Sequence, residues 1–287
     1  MDELRRVGVV GSGVMGAGLA ELCAVRKLDV VVVGRREVSV DTARSRLKKS
    51  LDLGVEKGRL TGSARDEALS RVSVTTDLGA LSDRQLVIEC AREDEYIKRE
   101  IFTALDSAVE DLDAVLATCT SSIPVMKLAR ATSRPSRVIG THFFNPARVM
   151  PLVEVIPSLL TDEQTVLRTE LFLTDVLGKQ VVRVPDRAGF LVNSLLVPYL
   201  LSAIRMLDSG TGSAADIDRG MVLGCGHPMG PLALVDMIGL DVIVQVADAL
   251  YDEFKDPHYA PPALLQRMVD AGRLGKKTGI GFHTYGA

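Results

Sequence analysis

Short apolar runs recur along the first two thirds of the chain, separated by longer stretches of helical periodicity. The first run holds Val7, Val9 and Val10, and the second covers residues 30–33, with a helical stretch between them. Further strands are predicted at residues 72–75, 86–89, 114–117, 138–141, 152–155 and 180–184, and helices over 40–57 and 64–70. Strands alternating with helices imply an α/β fold whose mostly parallel, doubly wound sheet is covered on both faces. The pattern changes after Pro185. From Gly189 onward it is helical, and FLVNSLLVPYLLSAIRMLDSG is apolar nearly all round, which predicts a helix buried in a core or at a subunit interface. Residues 210–213 break it, and more helices are predicted over 215–223, 231–254 and 262–271. The expected organisation is a sheet domain over residues 1–185 and an all-helical domain over 186–287.

Composition changes this picture little. The 287 residues are 47% hydrophobic and 25% charged with a net charge of −3, which is ordinary for a globular chain of two domains. The near balance of charge gives no footprint for nucleic acid, and no run of 18 apolar residues marks a membrane span. MDELRRVGVV enters the first strand directly and leaves no room for a signal peptide. Cys23, Cys90, Cys119 and Cys225 are isolated and lack metal-ligand spacing, so a cytoplasmic protein without a metal is expected.

The first candidate chemistry lies between the first strand and the first helix, at Gly11, Ser12, Gly13, Val14, Met15 and Gly16. Strand, glycine-rich turn, helix and strand form the Rossmann-type unit that holds a dinucleotide pyrophosphate on a helix N-terminus. Gly11 would permit the tight turn, Gly13 the approach of backbone to phosphate, and Gly16 the packing of helix on strand. Such units that bind NAD carry an acidic residue near the end of the second strand, for the ribose 2′-hydroxyl. Here Gly34, Arg35 and Arg36 occupy that place. A neutral residue followed by two guanidiniums suits a 2′-phosphate, so NADP is expected over NAD.

The second candidate is Thr141-His142-Phe143-Phe144-Asn145-Pro146, followed by Leu152-Val153-Glu154-Val155. His142 falls at the C-terminal end of a predicted strand, the edge where ligands collect in open α/β sheets. Histidine is the usual general base near neutral pH, and a carboxylate can fix its tautomer. Glu154 lies in an apolar stretch, where a carboxylate should be paired or functional. Spacing leaves open whether the two meet or are an unrelated buried histidine and glutamate. Thr118-Cys119-Thr120-Ser121-Ser122 ends another strand and offers hydroxyls to a ligand or to a helix cap. Asn193 is an amide inside a very apolar helix and needs partners, a substrate oxygen among them. No pattern supports Cys119 as a nucleophile.

These segments resemble the L-3-hydroxyacyl-CoA dehydrogenase family, above all its short bacterial 3-hydroxybutyryl-CoA dehydrogenases. The likeness runs in family order through GSGVMGAGLAE, IECAREDEYIKREIF, ATCTSSIPVMKLARAT, VIGTHFFNPARVMPLVEV, GFLVNSLLVPYL, GHPMGPLALVDMIGLD and AGRLGKKTGIGF, essentially the whole chain. The resemblance implies that His142 is the general base for the 3-hydroxyl and that Glu154 pairs with it. It places Ser121 and Asn193 around the reacting oxygen, and Asn145 in the same active-site motif. Glu93 and Lys98 fall where the family contacts the nicotinamide side of the coenzyme, and Lys57 at a position associated with the CoA end. A homodimer through the helical domain is also implied.

Several residues depart from the family. Cys119 stands where it usually has Asn, and Gly34 where the commonest members have Asp and use NAD. A minority reading Gly-Arg resembles NADP users. Arg148, Pro151 and Leu53 replace other residues near the active-site motif and the CoA end. The expectation is therefore a short-chain (S)-3-hydroxyacyl-CoA substrate with NADP(H). Rival readings are the same group carried on an acyl carrier protein, a sugar-acid dehydrogenase, and a silent NADP-binding protein. Retention of Ser121, His142, Glu154 and Asn193 together speaks against the last.

Overall fold

The computed structural model describes residues 4–286. The chain divides into two units, Met1–Asp186 and Arg187–Ala287. In the first, the strands are β1 (Arg6–Val10), β2 (Asp29–Val33), β3 (Val72–Thr75), β4 (Leu86–Glu89), β5 (Val115–Thr118), β6 (Val138–Phe143), β7 (Leu152–Pro157) and β8 (Gln180–Arg183). They form one sheet in the order β3-β2-β1-β4-β5-β6-β7-β8. Every pairing is parallel except β6 with β7, which is antiparallel. The order reverses between β1 and β4, so the chain winds outward from that point in both directions. The crevice above the strand ends at such a switch point is where open α/β sheets bind ligands.

The helices of this unit are α1 (Val14–Val25), α2 (Glu37–Glu56), α3 (Gly62–Ser70), α4 (Glu95–Ala108), α5 (Val125–Ala129) and α6 (Glu163–Leu171). On α2, the apolar positions Val40, Ala43, Leu47 and Leu51 recur every three or four residues and are buried together. Asp94 caps α4 by accepting from the Ile97 N–H at 3.0 Å, an interaction that contributes ~1 kcal/mol. Strands β4, β5 and β6 are buried along their whole length, as a parallel sheet between two helical layers requires.

The second unit holds α7 (Val192–Asp208), α8 (Ala214–Cys225), α9 (Pro231–Ile238), α10 (Leu240–Phe254) and α11 (Ala263–Asp270). Two expectations are corrected here. The helix expected directly after Gly189 begins at Val192, because Gly189 and Phe190 have φ of 73° and 47°. Its residues Val197, Leu200, Leu201 and Ile204 face the core, while Leu195 is 73% exposed. The single helix expected over residues 231–254 is two, broken at Gly239 with φ 110°. That backbone suits glycine, and a Cβ there would lie 2.9 Å from the carboxylate of Asp241, which pairs with Lys277.

Two buried aspartates hold the unit's C-terminal segment. Asp236 accepts from the Phe282 and His283 N–H groups at 2.9 and 2.8 Å. Asp218 accepts from Leu232 N–H at 2.7 Å in the first turn of α9 and meets His283 Nε2 at 2.7 Å. The GHPMGP and LGKKTGIGF stretches thus have structural work within this unit. Among the described residues no helix is long and apolar enough to cross a membrane.

Candidate active site

The glycine turn packs against the end of β4. Gly11 has φ +117°, and a Cβ on it would fall 2.5 Å from the carbonyl oxygen of Cys90. A Cβ on Gly16 would fall 1.9 Å from the carbonyl oxygen of Gly11, so only glycine lets α1 sit this close to β1. Gly13 differs: nothing lies within 4 Å of the place a Cβ would take. No side chain caps α1 at Gly13, and its first turn holds no acidic residue. Bare N–H groups, open space and a positive helix end fit a pyrophosphate. Ser12 and Met15 are half-buried, and Val14 is 61% exposed. Arg46 on α2, which no sequence pattern singled out, donates to the Ser12 carbonyl at 3.2 Å.

At the end of β2, Gly34 is buried and donates its N–H to the Thr75 carbonyl. Its φ lies outside the left-handed region, and the nearest atom to a Cβ would be a Val40 methyl at 3.3 Å. The backbone there does not demand glycine. Arg35 and Arg36 are exposed, and Arg36 begins α2 without a side-chain cap. Among the described residues neither guanidinium has a hydrogen bond or ion pair.

Beyond β4 and β5 a buried polar cluster shapes the sheet edge. Glu89 is fully buried and receives both Lys98 Nζ contacts at 2.9 and 2.8 Å, the Thr118 hydroxyl at 2.8 Å and the Ala91 N–H at 2.6 Å. Lys98 also lies 3.5 Å from Glu93. Glu93 Oε1 accepts from the Thr120 hydroxyl at 2.5 Å and from the Ser121 and Ser122 N–H groups at 2.8 and 3.1 Å. The Ser121 hydroxyl is 3.2 Å from the same oxygen. Burial works against the Glu93 charge, but the Lys98 ammonium and the donors of Thr120 and Ser121 outweigh it and hold its carboxyl below the usual range. Burial also opposes the Lys98 charge, and Glu89 with Glu93 reverses that, so the ammonium is held above its ordinary value. Lys98 is 1% exposed and lies beneath Glu93, so its ammonium supports that carboxylate from below. Glu89 was not expected; its only sequence signal is a carboxylate closing an otherwise apolar strand.

His142 and Glu154 stand directly opposite one another in the antiparallel β6–β7 ladder. His142 Nδ1 is 2.6 Å from Glu154 Oε2, with the histidine 7% and the glutamate 0% exposed. An ionised carboxylate only accepts, so it holds the proton on Nδ1 and leaves the lone pair on Nε2. Phe144 packs edge-on against the imidazole, with ring centroids 4.7 Å apart.

Asn145 is exposed in the loop after β6 and joined to Pro146 by a cis peptide bond. Lys179, 7% exposed, pins this loop by donating to the Ala147 and Met150 carbonyls at 2.6 and 2.7 Å. Arg148 pairs at 3.2 Å with Glu21, a buried residue of α1 that also accepts from Ser50. Pro151 accepts from the Gln180 N–H at 2.9 Å. The remaining expected residues lie elsewhere. Lys57 is exposed at the end of α2, one turn beyond the exposed Leu53, and Asn193 is half-buried in the first turn of α7 in the second unit.

A glycine turn fit for a pyrophosphate and a carboxylate-held histidine on one doubly wound sheet are the features of a dinucleotide-dependent dehydrogenase. The profile of the 3-hydroxyacyl-CoA dehydrogenase NAD binding domain matches residues 6–187, and that of the C-terminal domain of the same enzymes matches residues 189–285. A 3-hydroxybutyryl-CoA dehydrogenase of Mycobacterium tuberculosis is 56% identical over 284 residues, 99% of each chain. The crystal structure of M. tuberculosis FadB2 is similar with a TM-score of 0.98 at 55% identity, covering 99% of this chain and 100% of that one. The crystal structure of (S)-3-hydroxybutyryl-CoA dehydrogenase from Ralstonia eutropha gives 0.94 at 43% identity, covering 99% and 100%. The chain belongs to the 3-hydroxyacyl-CoA dehydrogenase family.

Proposed function

We propose that this protein interconverts a short-chain (S)-3-hydroxyacyl-CoA and the 3-oxoacyl-CoA, acetoacetyl-CoA first among them, using NADP(H). The observation that carries the reading is the His142–Glu154 pair at 2.6 Å on the strand edge of a dinucleotide-binding sheet. In oxidation, Nε2 of His142 takes the 3-hydroxyl proton while hydride leaves C3; in reduction it returns that proton to the new alkoxide oxygen. The coenzyme, when bound, accepts or supplies the hydride. Glu154 keeps the imidazole in the tautomer and orientation this transfer needs. Ser121 and Asn193 are the groups we assign to the reacting oxygen, Asn145 and Glu93 to the coenzyme side, and Lys57 to the CoA end. Lys98 acts beneath Glu93.

The choice of NADP rests on the exposed guanidiniums of Arg35 and Arg36 beside a neutral Gly34. The second unit is our candidate for a homodimer interface, because Leu195 and Leu223 are 73% and 72% exposed there; light scattering showing a monomer would remove that part of the reading. The enzymatic reading is tested with acetoacetyl-CoA, the matching acyl-carrier-protein thioester and both coenzymes. Reduction of acetoacetyl-CoA should fall by about 10²- to 10⁴-fold in His142→Ala, to a measurable residual rate, while coenzyme binding survives. Absence of turnover on every thioester would refute it.

A further inference from the structure

Two of the four cysteines end neighbouring central strands. β4 and β5 pair in parallel from Leu86 beside Val115 to Glu89 beside Thr118. Cys90 and Cys119 are the next positions in that register, and the Cys119 N–H still donates to the Glu89 carbonyl at 2.8 Å. Register mates on adjacent strands point to one face with backbones about 4.8 Å apart. That lies within the roughly 4.4–6.8 Å Cα separation a disulfide spans. Both side chains are half-buried, and each thiol shifts the proton affinity of the other.

The partners of the two sulfurs differ. The Cys90 S–H donates to the Ile88 carbonyl at 3.8 Å, while Cys119 lies beside it in the field of the buried Lys98 ammonium. The neighbouring Cys90 thiol outweighs burial and holds the Cys119 thiol below its ordinary range, while Cys119 and burial push Cys90 well above it. A thiolate-favouring sulfur beside a protonated one is the arrangement of an attacking and a resolving cysteine. The other two thiols lack it: Cys23 is fully buried and pushed up to about 12 by that burial, and Cys225 is exposed.

We propose that Cys90 and Cys119 form a redox-active dithiol whose closure to a disulfide weakens coenzyme binding. The oxidant is a hydroperoxide. The Cys119 thiolate attacks the O–O bond, giving Cys119 sulfenic acid and releasing the alcohol, or water from hydrogen peroxide, after protonation. Cys90 then attacks the sulfenic sulfur; its proton leaves with the departing hydroxide as water, and the S–S bond forms. Two thiols are oxidised by two electrons and one peroxide is reduced. An external dithiol reverses the reaction by exchange.

The pair is placed to transmit this change. The Cys90–Ala91 peptide is the surface against which Gly11 rests, with its carbonyl oxygen and following nitrogen 2.5 and 2.9 Å from the place of a Gly11 Cβ. Cys119 leads directly into Thr120, Ser121 and Ser122, which hold Glu93. A bond joining the two strand ends therefore couples the pyrophosphate turn and the Glu93 loop directly. This chemistry does not depend on which thioester the enzyme takes.

The test uses the full chain exposed to hydrogen peroxide, alkylated, digested without reductant and mapped by mass spectrometry, with NADPH affinity followed by fluorescence titration. The expected result is a Cys90–Cys119 cross-linked peptide, NADPH affinity lowered at least ~5-fold, the lower end of common coupling strengths, and recovery with dithiothreitol. Cys90→Ser, compared with its own reduced form, should give no cross-link and should pass to a Cys119 sulfinic acid that dithiothreitol does not reverse. Absence of the cross-link under peroxide that oxidises Cys225 would overturn the proposal. So would a cross-link with unchanged NADPH affinity, or an equal loss of affinity in a variant carrying both Cys90→Ser and Cys119→Ser.

Discussion

Replacing Glu154 with glutamine tests the centre of the proposed mechanism while keeping its shape. The carboxylate is 0% exposed and its contact to His142 Nδ1 is 2.6 Å, so it is a short, charge-assisted hydrogen bond away from water. Such bonds contribute ~1.5–3 kcal/mol. If that is realised as the imidazole takes a proton, kcat should fall between about 10- and 150-fold, at ~1.4 kcal/mol per factor of ten. The amide adds a second effect, since its NH₂ can turn to Nδ1 and select the tautomer with the proton on Nε2. The assay is steady-state reduction of acetoacetyl-CoA, with KM for the thioester and NADPH affinity measured beside kcat. Both binding terms should stay within ~2-fold, because the glutamate acts through the histidine. Glu154→Gln placed on His142→Ala should slow the enzyme no further, as expected for two residues acting as a unit. An unchanged kcat in the single variant, or a further loss in the double one, would refute the reasoning.

Three other outcomes are expected. Arg35→Ala combined with Arg36→Ala should lower the NADPH-to-NADH ratio of kcat/KM by about 2- to 30-fold, the range for two exposed ion pairs at ~0.2–1 kcal/mol each; a wild type preferring NADH would contradict the coenzyme assignment. Gly13→Ala, which meets no atom within 4 Å, should keep the wild-type melting temperature but bind coenzyme poorly, whereas Gly16→Ala, placed 1.9 Å from the Gly11 carbonyl, should lose stability itself; equal melting temperatures would show that the turn's packing is misread. Glu93 titrates below the ordinary carboxylate range, so its stabilisation is fully present above the unfolded value of about 4.3 and is lost as pH falls through the lower folded value. Urea titrations should therefore show a shallower acid-side loss of stability for Glu93→Gln than for the wild type.

Much of the sheet was legible because strands buried on both faces read as apolar runs, and turn residues bound them. The antiparallel pairing of β7 was not legible, since a run such as Leu152-Val153-Glu154-Val155 looks the same in either direction. This limits the site as well. His142 and Glu154 meet only in one register, and a one-residue slip would turn Glu154 to the other face. That register depends on the loop between them, held by Lys179 and Arg148, and periodicity carries no information about it. The break at Gly239 was missed because a lone glycine inside an apolar helical pattern is commonly tolerated. Lys98 was placed on the nicotinamide side by the family resemblance alone, and periodicity gave no sign that it is buried. Its burial follows from Glu89, nine residues earlier on a different element.

The His142–Glu154 pair belongs to two strands that lie inside the sheet, with β5 on one side and β8 on the other. Its geometry is therefore set when the sheet forms, and no lid has to close to assemble it. Local openings that fray loops and helix ends leave such strands intact. The pair should thus have no melting transition of its own: its amides should exchange with solvent only by unfolding of the whole unit. Heating or denaturant should remove the His142–Glu154 contact and the sheet in a single step.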